Sequence, residues 1–204
     1  MKNLGRFIRC TLALALLGSL IFTVCAVMPV ARACDTISDK VIRLHILADS
    51  DSDTDQAEKL RIRDRILAES ADCTFADRAD AEAQLAARLP ELERIATEQL
   101  RADGFSDSVH AELTDMHFDA RTYGDRTLPA GTYRAVRITI GSGRGHNWWC
   151  VVYPPICLSP AVDSSALDDV LTDSERAIVR EPTHYEIRLK LVEWGRMLRD
   201  WLFT

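Results

Sequence analysis

Most of what would mark an enzyme is missing from this chain. There is no HExxH, and His45, His110, His117, His146 and His184 are scattered without a close pair. No second Cys or His pair at zinc-ligand spacing accompanies Cys150 and Cys157, which argues against a zinc site. Gly141-Ser142-Gly143-Arg144-Gly145 lacks the Lys-Ser of a phosphate loop and a helix after it, so it reads as a turn. No elbow glycines flank Ser50 or Ser52. Internal repeats and low-complexity tracts are absent too. Positive charge is also short, with 25 Lys and Arg against 31 Asp and Glu.

The N-terminus holds part of even that positive charge. Lys2, Arg6 and Arg9 precede an uncharged, mostly apolar run from Thr11 to Val27, and Ala31-Arg32-Ala33 ends it as a small-x-small site. This is the grammar of a secretory signal peptide. The alternative is an uncleaved anchor, for which the run is slightly short of the roughly 20 residues a span needs. Residues 1–33 are therefore read as a signal peptide or N-terminal membrane anchor outside the fold, and 38–204 as one domain. Cys34 as a lipidated residue is the weaker reading, because Arg32 sits where a small residue belongs. Removing residues 1–33 leaves 21 basic against 31 acidic residues, a net charge of −10. Such a chain has no basic field for nucleic acid, and anionic lipid repels it. Membrane contact is expected only through the leader or a receptor.

Periodicity orders the remainder. Lys40 to Ala48 is a strand, and a helix begins near Thr54 with Asp53 and Asp55 at its N-terminus. A longer helix spans Asp77 to Ala102, with Pro90 expected to kink or divide it and Gly104 stopping it. Val109 to Phe118 alternates, but Met116 and Phe118 fall on the other parity from Val109, Ala111 and Leu113, so a bulge is expected. Two further strands flank the Gly141–Gly145 turn. Arg134, Arg137 and Thr139 alternate with Val136, Ile138 and Ile140 in the first. Trp148 to Tyr153 is nearly all apolar, as in a strand buried on both faces. Pro154-Pro155 ends the pairing. A polar connection follows, with a short helix at Ser174 to Val179. The last helix, Thr183 to Phe203, repeats Ile187, Leu191, Trp194, Leu198 and Trp201, a stripe expected to dock on the sheet. The fold class is α+β. It is a two-layer sandwich with a mostly antiparallel sheet of about four strands and helices on one face, in the order β-α-α-β-β-β-α. The first strand, set apart from the others by both helices, is the candidate for parallel pairing.

Export permits disulfides. Cys150 and Cys157 flank a Pro-bearing turn, and closing that eight-residue loop stabilises by about 2.5 kcal/mol in the chain-entropy model. The alternatives are two buried free thiols or half of a metal site. Cys34 and Cys73 have no assignment.

The run YG(x)3LPAGTYRAVRITIG(x)5NWWCVVYPPIC, together with IRLHILADSDSDTDQ at Ile42 to Gln56 and LVEW at Leu191 to Trp194, resembles the stage II sporulation protein R family of endospore-forming bacteria. The family usually reads Leu-Ala-Asn-Ser-Asp-Ser. Asp49 takes the Asn place here, which removes an amide donor. The resemblance implies a protein made in the forespore and secreted across its membrane. It acts between the forespore and mother-cell membranes on a membrane-embedded aspartic protease of the mother cell, which then cleaves a sigma-factor precursor. By that resemblance the chain is a signalling ligand and not an enzyme, with no cofactor.

The residues themselves offer a few candidates. Asp49, Asp51, Asp53 and Asp55 suggest a calcium loop, but Thr54 and Leu60 stand where an EF-hand needs Gly and Glu. A helix-capping loop or a partner contact remains. His45 with Asp49 four residues on is a conceivable proton-transfer pair, so the alternative function is a hydrolase of envelope material using His45 and the Asp49–Asp55 carboxylates. Trp148 and Trp149 must face opposite ways in a strand, so one is core and the other is covered by a helix or a partner. The candidate partner-binding residues are His45, Asp49, Ser50, Asp51, Asp55, Trp148 and Trp149.

Overall fold

The computed structural model describes residues 2–156 and 164–203. Its elements are α1 (Lys2–Lys40), β1 (Ile42–Leu47), α2 (Asp53–Glu69), α3 (Arg78–Ala102), β2 (Val109–Phe118), β3 (Arg121–Tyr123), β4 (Arg126–Leu128), β5 (Gly131–Ile140), β6 (Asn147–Tyr153), α4 (Ala166–Val170), α5 (Asp173–Arg180) and α6 (Pro182–Phe203). The main sheet has the order β2-β5-β1-β6. β1 runs parallel to β5 and antiparallel to β6, and β2 is antiparallel to β5. The parallel pair is the one the sequence order singles out: α2 and α3 lie in the crossover from β1 to β5. β5 and β6, consecutive around the glycine turn, are not a hairpin, because β1 lies between them and pairs with both.

Strand alternation sorts the side chains into two faces. Leu44, Val136 and Val152 point to α2 and α3, where they meet Ile66, Leu85 and Leu92. Ile42, Ile46, Ile62, Ile95 and Ile138 are fully buried with them, making the dry aliphatic core. The opposite face carries Arg43, His45, Tyr133, Arg137 and Trp149. One end of it is capped by the β3–β4 hairpin, whose Tyr123 hydroxyl accepts from Arg43 Nη2 at 2.7 Å. The end of α1 lies there as well, with Ser38 against Gly131 and Tyr133. Sequence periodicity gave no sign of the small hairpin, since three-residue strands are too short to show a period. Gly124, at φ 58°, forms its turn.

Several expectations need correction. α3 runs unbroken through Pro90. β2 pairs with β5 in continuous register from Val109 to Phe118, and the register shift lies instead in β1 against β6, between Ile42 and Arg43. Met116 and Phe118 keep the parity of the second face, and Phe118 is buried there, so no bulge is needed. Wherever a leader would be cut, the packing of α1 reaches back to Val30. α1 is continuous through Ala31-Arg32-Ala33, and Val30, Cys34 and Ile37 form a buried stripe at helical spacing. Residues 12–28 present exposed apolar side chains, including Leu12, Leu16, Leu20 and Phe22. Finally, α6 packs on α1 and α5 through Leu189 and Val192, whereas Trp194 and Leu198 are 61% and 56% exposed. The expected docking stripe is the outer side of that helix.

Candidate partner-binding site

The acidic loop after β1 is tied to the glycine turn between β5 and β6. Asp49 Oδ1 accepts from the Ser142 backbone N–H at 2.5 Å. The Asp49 carbonyl accepts from Ser142 Oγ at 3.0 Å and from Arg144 N at 3.1 Å. Asp51 Oδ1 accepts from His146 N at 2.6 Å and lies 2.5 Å from His146 Nδ1. Gly145 N reaches the Ala48 carbonyl at 2.9 Å, so close that a Cβ at Gly145 would collide with the Ser50 backbone. The backbone N–H of Ser142 holds the Asp49 carboxyl below its usual range, and that of His146 does the same for Asp51. Both are carboxylates at neutral pH, each with a structural partner.

The rest of the loop starts α2. Ser52 caps the helix by accepting from Asp55 N at 3.1 Å. Ser50 Oγ hydrogen-bonds the Asp55 carboxylate, and Gln56 Nε2 donates to the Ser50 carbonyl at 2.8 Å. Lys59 Nζ bridges Gln56 Oε1 and the His146 carbonyl, both at 2.6 Å. Four of the candidate residues, Asp49, Ser50, Asp51 and Asp55, thus form one latch between the start of α2 and the β5–β6 connection. Asp49 acts in this latch as an acceptor, through its carboxylate and its carbonyl.

His45 is elsewhere. It lies on the second sheet face, 4% exposed, with its ring edge-on to Phe118 (5.9 Å between centroids) and Trp149 (6.1 Å). Neither ring nitrogen has a hydrogen-bond partner. Burial, then the positive charges of Arg137, Arg43 and Lys59, pushes its pKa down to about 4. It is a neutral, packed imidazole with no carboxylate paired to it, so His45 and the Asp49–Asp55 carboxylates do not form one site.

The tryptophans face opposite ways, as alternation requires. Trp148 lies under the Arg63 guanidinium of α2 at 4.2 Å, and Trp149 packs on Phe118 at 5.2 Å with Arg121 5.5 Å from its ring. Both are half-buried, and both indole N–H groups are buried without an acceptor. Cys150 is buried beside Leu44 in β6. Cys157, its expected partner, lies outside the described residues. Cys34 is a buried free thiol whose pKa burial raises to about 11, and Cys73 is a free, half-buried thiol beside Arg88. Among the described residues no three His, Cys, Asp or Glu side chains converge as metal ligands.

Sequence reasoning missed Arg43. It is fully buried, with its guanidinium over Phe118 at 4.0 Å and near Tyr133 at 4.9 Å. The signal was available: in the strand IRLHIL the polar residues Arg43 and His45 stand at alternate positions, which marks one sheet face as different from the other. A cleft of about 1110 Å3 lies away from all of these residues, between α1, α6, α3 and the ends of β2 and β5. Its charges are largely paired: Arg134 with Glu82 at 2.8 Å, Arg78 with Glu82 at 2.8 Å, and Arg196 with Asp35 at 2.5 Å.

A family model described as stage II sporulation protein R matches residues 38–163 of the chain. The stage II sporulation protein R of Bacillus subtilis (strain 168) is 34% identical over 183 residues, 78% of this chain and 81% of that protein. No solved structure matches the chain.

Proposed function

The chain belongs to the stage II sporulation protein R family and is a sporulation protein, and from that premise we propose that it is an exported signalling ligand. In this reading it is made in the forespore and crosses the forespore membrane behind the apolar segment of α1. In the space between the two membranes it triggers a membrane-embedded aspartic protease of the mother cell, which then processes a sigma-factor precursor. The observation that favours a ligand over a hydrolase is the fate of the acid-base candidates. Asp49, Asp51 and Asp55 are engaged by Ser142, His146 and Ser50, and His45 is buried against Phe118 and Trp149. The envisaged hydrolase needs His45 and a carboxylate at one substrate, and the fold keeps His45 buried and apart from all three carboxylates.

The signal-peptide reading fits the exposed apolar helix, whose hydropathy suits a membrane. Cleavage after Ala33 would remove only Val30 from the packed stripe and leave Cys34 and Ile37 in place. N-terminal sequencing of exported protein should begin at or near Cys34. Co-expression of this chain with the candidate protease and its sigma-factor precursor tests the function. Cleavage that requires this chain is the expected result; equal cleavage with and without it would sink the reading.

A further inference from the structure

Across the four strands of the second sheet face, register places Glu112, Arg137, His45 and Trp149 in one row. Buried nitrogens without a hydrogen-bond partner are concentrated here: Arg137 Nε, Trp149 Nε1, both ring nitrogens of His45, and Nε and Nη1 of Arg43. A folded protein leaves few buried polar atoms unpaired, and this group of them sets the face apart as polar and positively charged. Charge points the same way. Arg43, Arg121 and Arg137 bring three guanidiniums to this face. Among the described residues, the one carboxylate paired with any of them is that of Glu112, 3.5 Å from Arg137 and itself half-buried. This happens on a chain with a surplus of acids, and it contrasts with the cleft between α1, α3 and α6, where arginines and carboxylates are matched.

Part of this face is reachable. The Arg137 side chain is 40% exposed, Arg121 is exposed, and Trp149 is half-buried beside Arg121, with His45 between it and Arg137 in the row. The β3–β4 hairpin covers the Arg43 end, while α2 and α3 lie on the other side of the sheet. A guanidinium beside an indole is a common interface anchor: the fork binds a carboxylate in two places and the ring covers apolar stem atoms.

We propose that the open part of the second sheet face, around Arg121, Arg137 and Trp149, is the docking surface for a carboxylate-bearing segment of a partner protein. The proposal rests on the reading of this chain as a binding protein and names the chemistry its partner presents. Nucleic acid is disfavoured by the acidity of the chain as a whole. A carboxylate side chain fits one accessible guanidinium fork better than a large polyanion does.

The test uses the full chain in mild detergent and a fluorescein-labelled hexaglutamate peptide, with hexalysine as the charge control. Hexaglutamate should bind and hexalysine should not. The Arg121→Gln/Arg137→Gln double variant should bind at least tenfold more weakly, while Arg134→Gln, on the other face, should bind as wild type does. A measurement on the wild-type chain needs no variant: bound peptide should protect Arg121 and Arg137 from phenylglyoxal, read by peptide mapping. Absence of hexaglutamate binding, or binding without protection of these two arginines, overturns the proposal. Binding to phosphatidylglycerol vesicles without peptide binding also overturns it, and assigns the face to anionic lipid. Because the titration contains no protease, its outcome is separate from that of the signalling reading. A wild-type chain that binds the peptide yet leaves precursor cleavage unchanged would sink that reading and leave this surface standing.

Discussion

The two faces of the central sheet are built to different specifications. Toward α2 and α3 the sheet shows Leu44, Ile46, Val136, Ile138 and Val152, all aliphatic and essentially solvent-free. Toward the other side it shows Arg43, His45, Arg137 and Trp149, with polar atoms that are buried and unpaired. Aliphatic burial is non-directional and contributes stability in proportion to area. A buried donor without an acceptor detracts from it. The first face holds the fold together. The second also buries Phe118 and Tyr133, but its unpaired polar atoms offset part of what that burial contributes.

The comparison predicts opposite responses to substitution in neighbouring residues of one strand. Leu44→Ala, on the dry face, should destabilise by about 2 to 5 kcal/mol, read as a lowered denaturant midpoint. A loss under 1 kcal/mol, on the order of a surface change, would show that the helices do not pack there as described.

His45 should give the second face a pH signature. Its pKa of about 4 lies below the ordinary 6.5, so between those values the folded chain holds fewer protons than the unfolded one. The stability gained by keeping the ring neutral is therefore intact above pH 6.5 and is lost as pH falls through that window. The loss reaches about 3 kcal/mol once the pH is below 4. His45→Phe should remove this slope, and a variant with the same acid response as wild type would place His45 in solvent. His45→Ala is a poorer probe of signalling, because it opens a cavity in a packed site.

Cys150 sits on the dry side of β6, opposite Leu44 in register. If it pairs with Cys157, reduction should lower stability by about 2.5 kcal/mol, and non-reduced digests should contain the linked peptides. Free thiols at both positions in exported protein would reject the bond. On the other face, Arg43→Met should leave stability within about 1.5 kcal/mol of wild type, despite the complete burial of Arg43. Its lost hydrogen bond to Tyr123 and ring contacts are offset by the removal of two unpaired donors. A loss as large as that of Leu44→Ala would mean that the two faces are equivalent after all.

How much of this was legible beforehand depended on whether a feature is local. The strands of the main sheet, α2, α3 and the turn at Gly141–Gly145 follow from period and punctuation, and the parallel placement of β1 follows from the intervening helices. The latch was half legible. Asp53 and Asp55 were read as helix-start residues, but the bonds of Asp49 and Asp51 cross to residues more than 90 positions away. No pattern in one sequence carries that pairing. Arg43 was readable as an odd polar residue in an apolar strand, yet its aromatic surroundings come from β2, the β3–β4 hairpin and β5. For α6 the period was correct and the phase was not: helical spacing names a stripe but does not say which neighbour it faces.

That phase carries the smallest expected effect. Leu189 and Val192 pack toward α1, while Trp194, Met197, Leu198 and Trp201 stand out from the helix. Burial by the sheet would have made Trp194→Ala cost about 3 to 5 kcal/mol. At 61% exposure the substitution should change stability by no more than about 0.5 kcal/mol. Val192→Ala, a smaller truncation but a buried one, should cost more. The order of the two effects is the check, because area removed from water counts only where a neighbour already excludes water. If Trp194→Ala proves the costlier of the two in the full chain, the apolar stripe is covered and the helix is turned the way its periodicity first suggested.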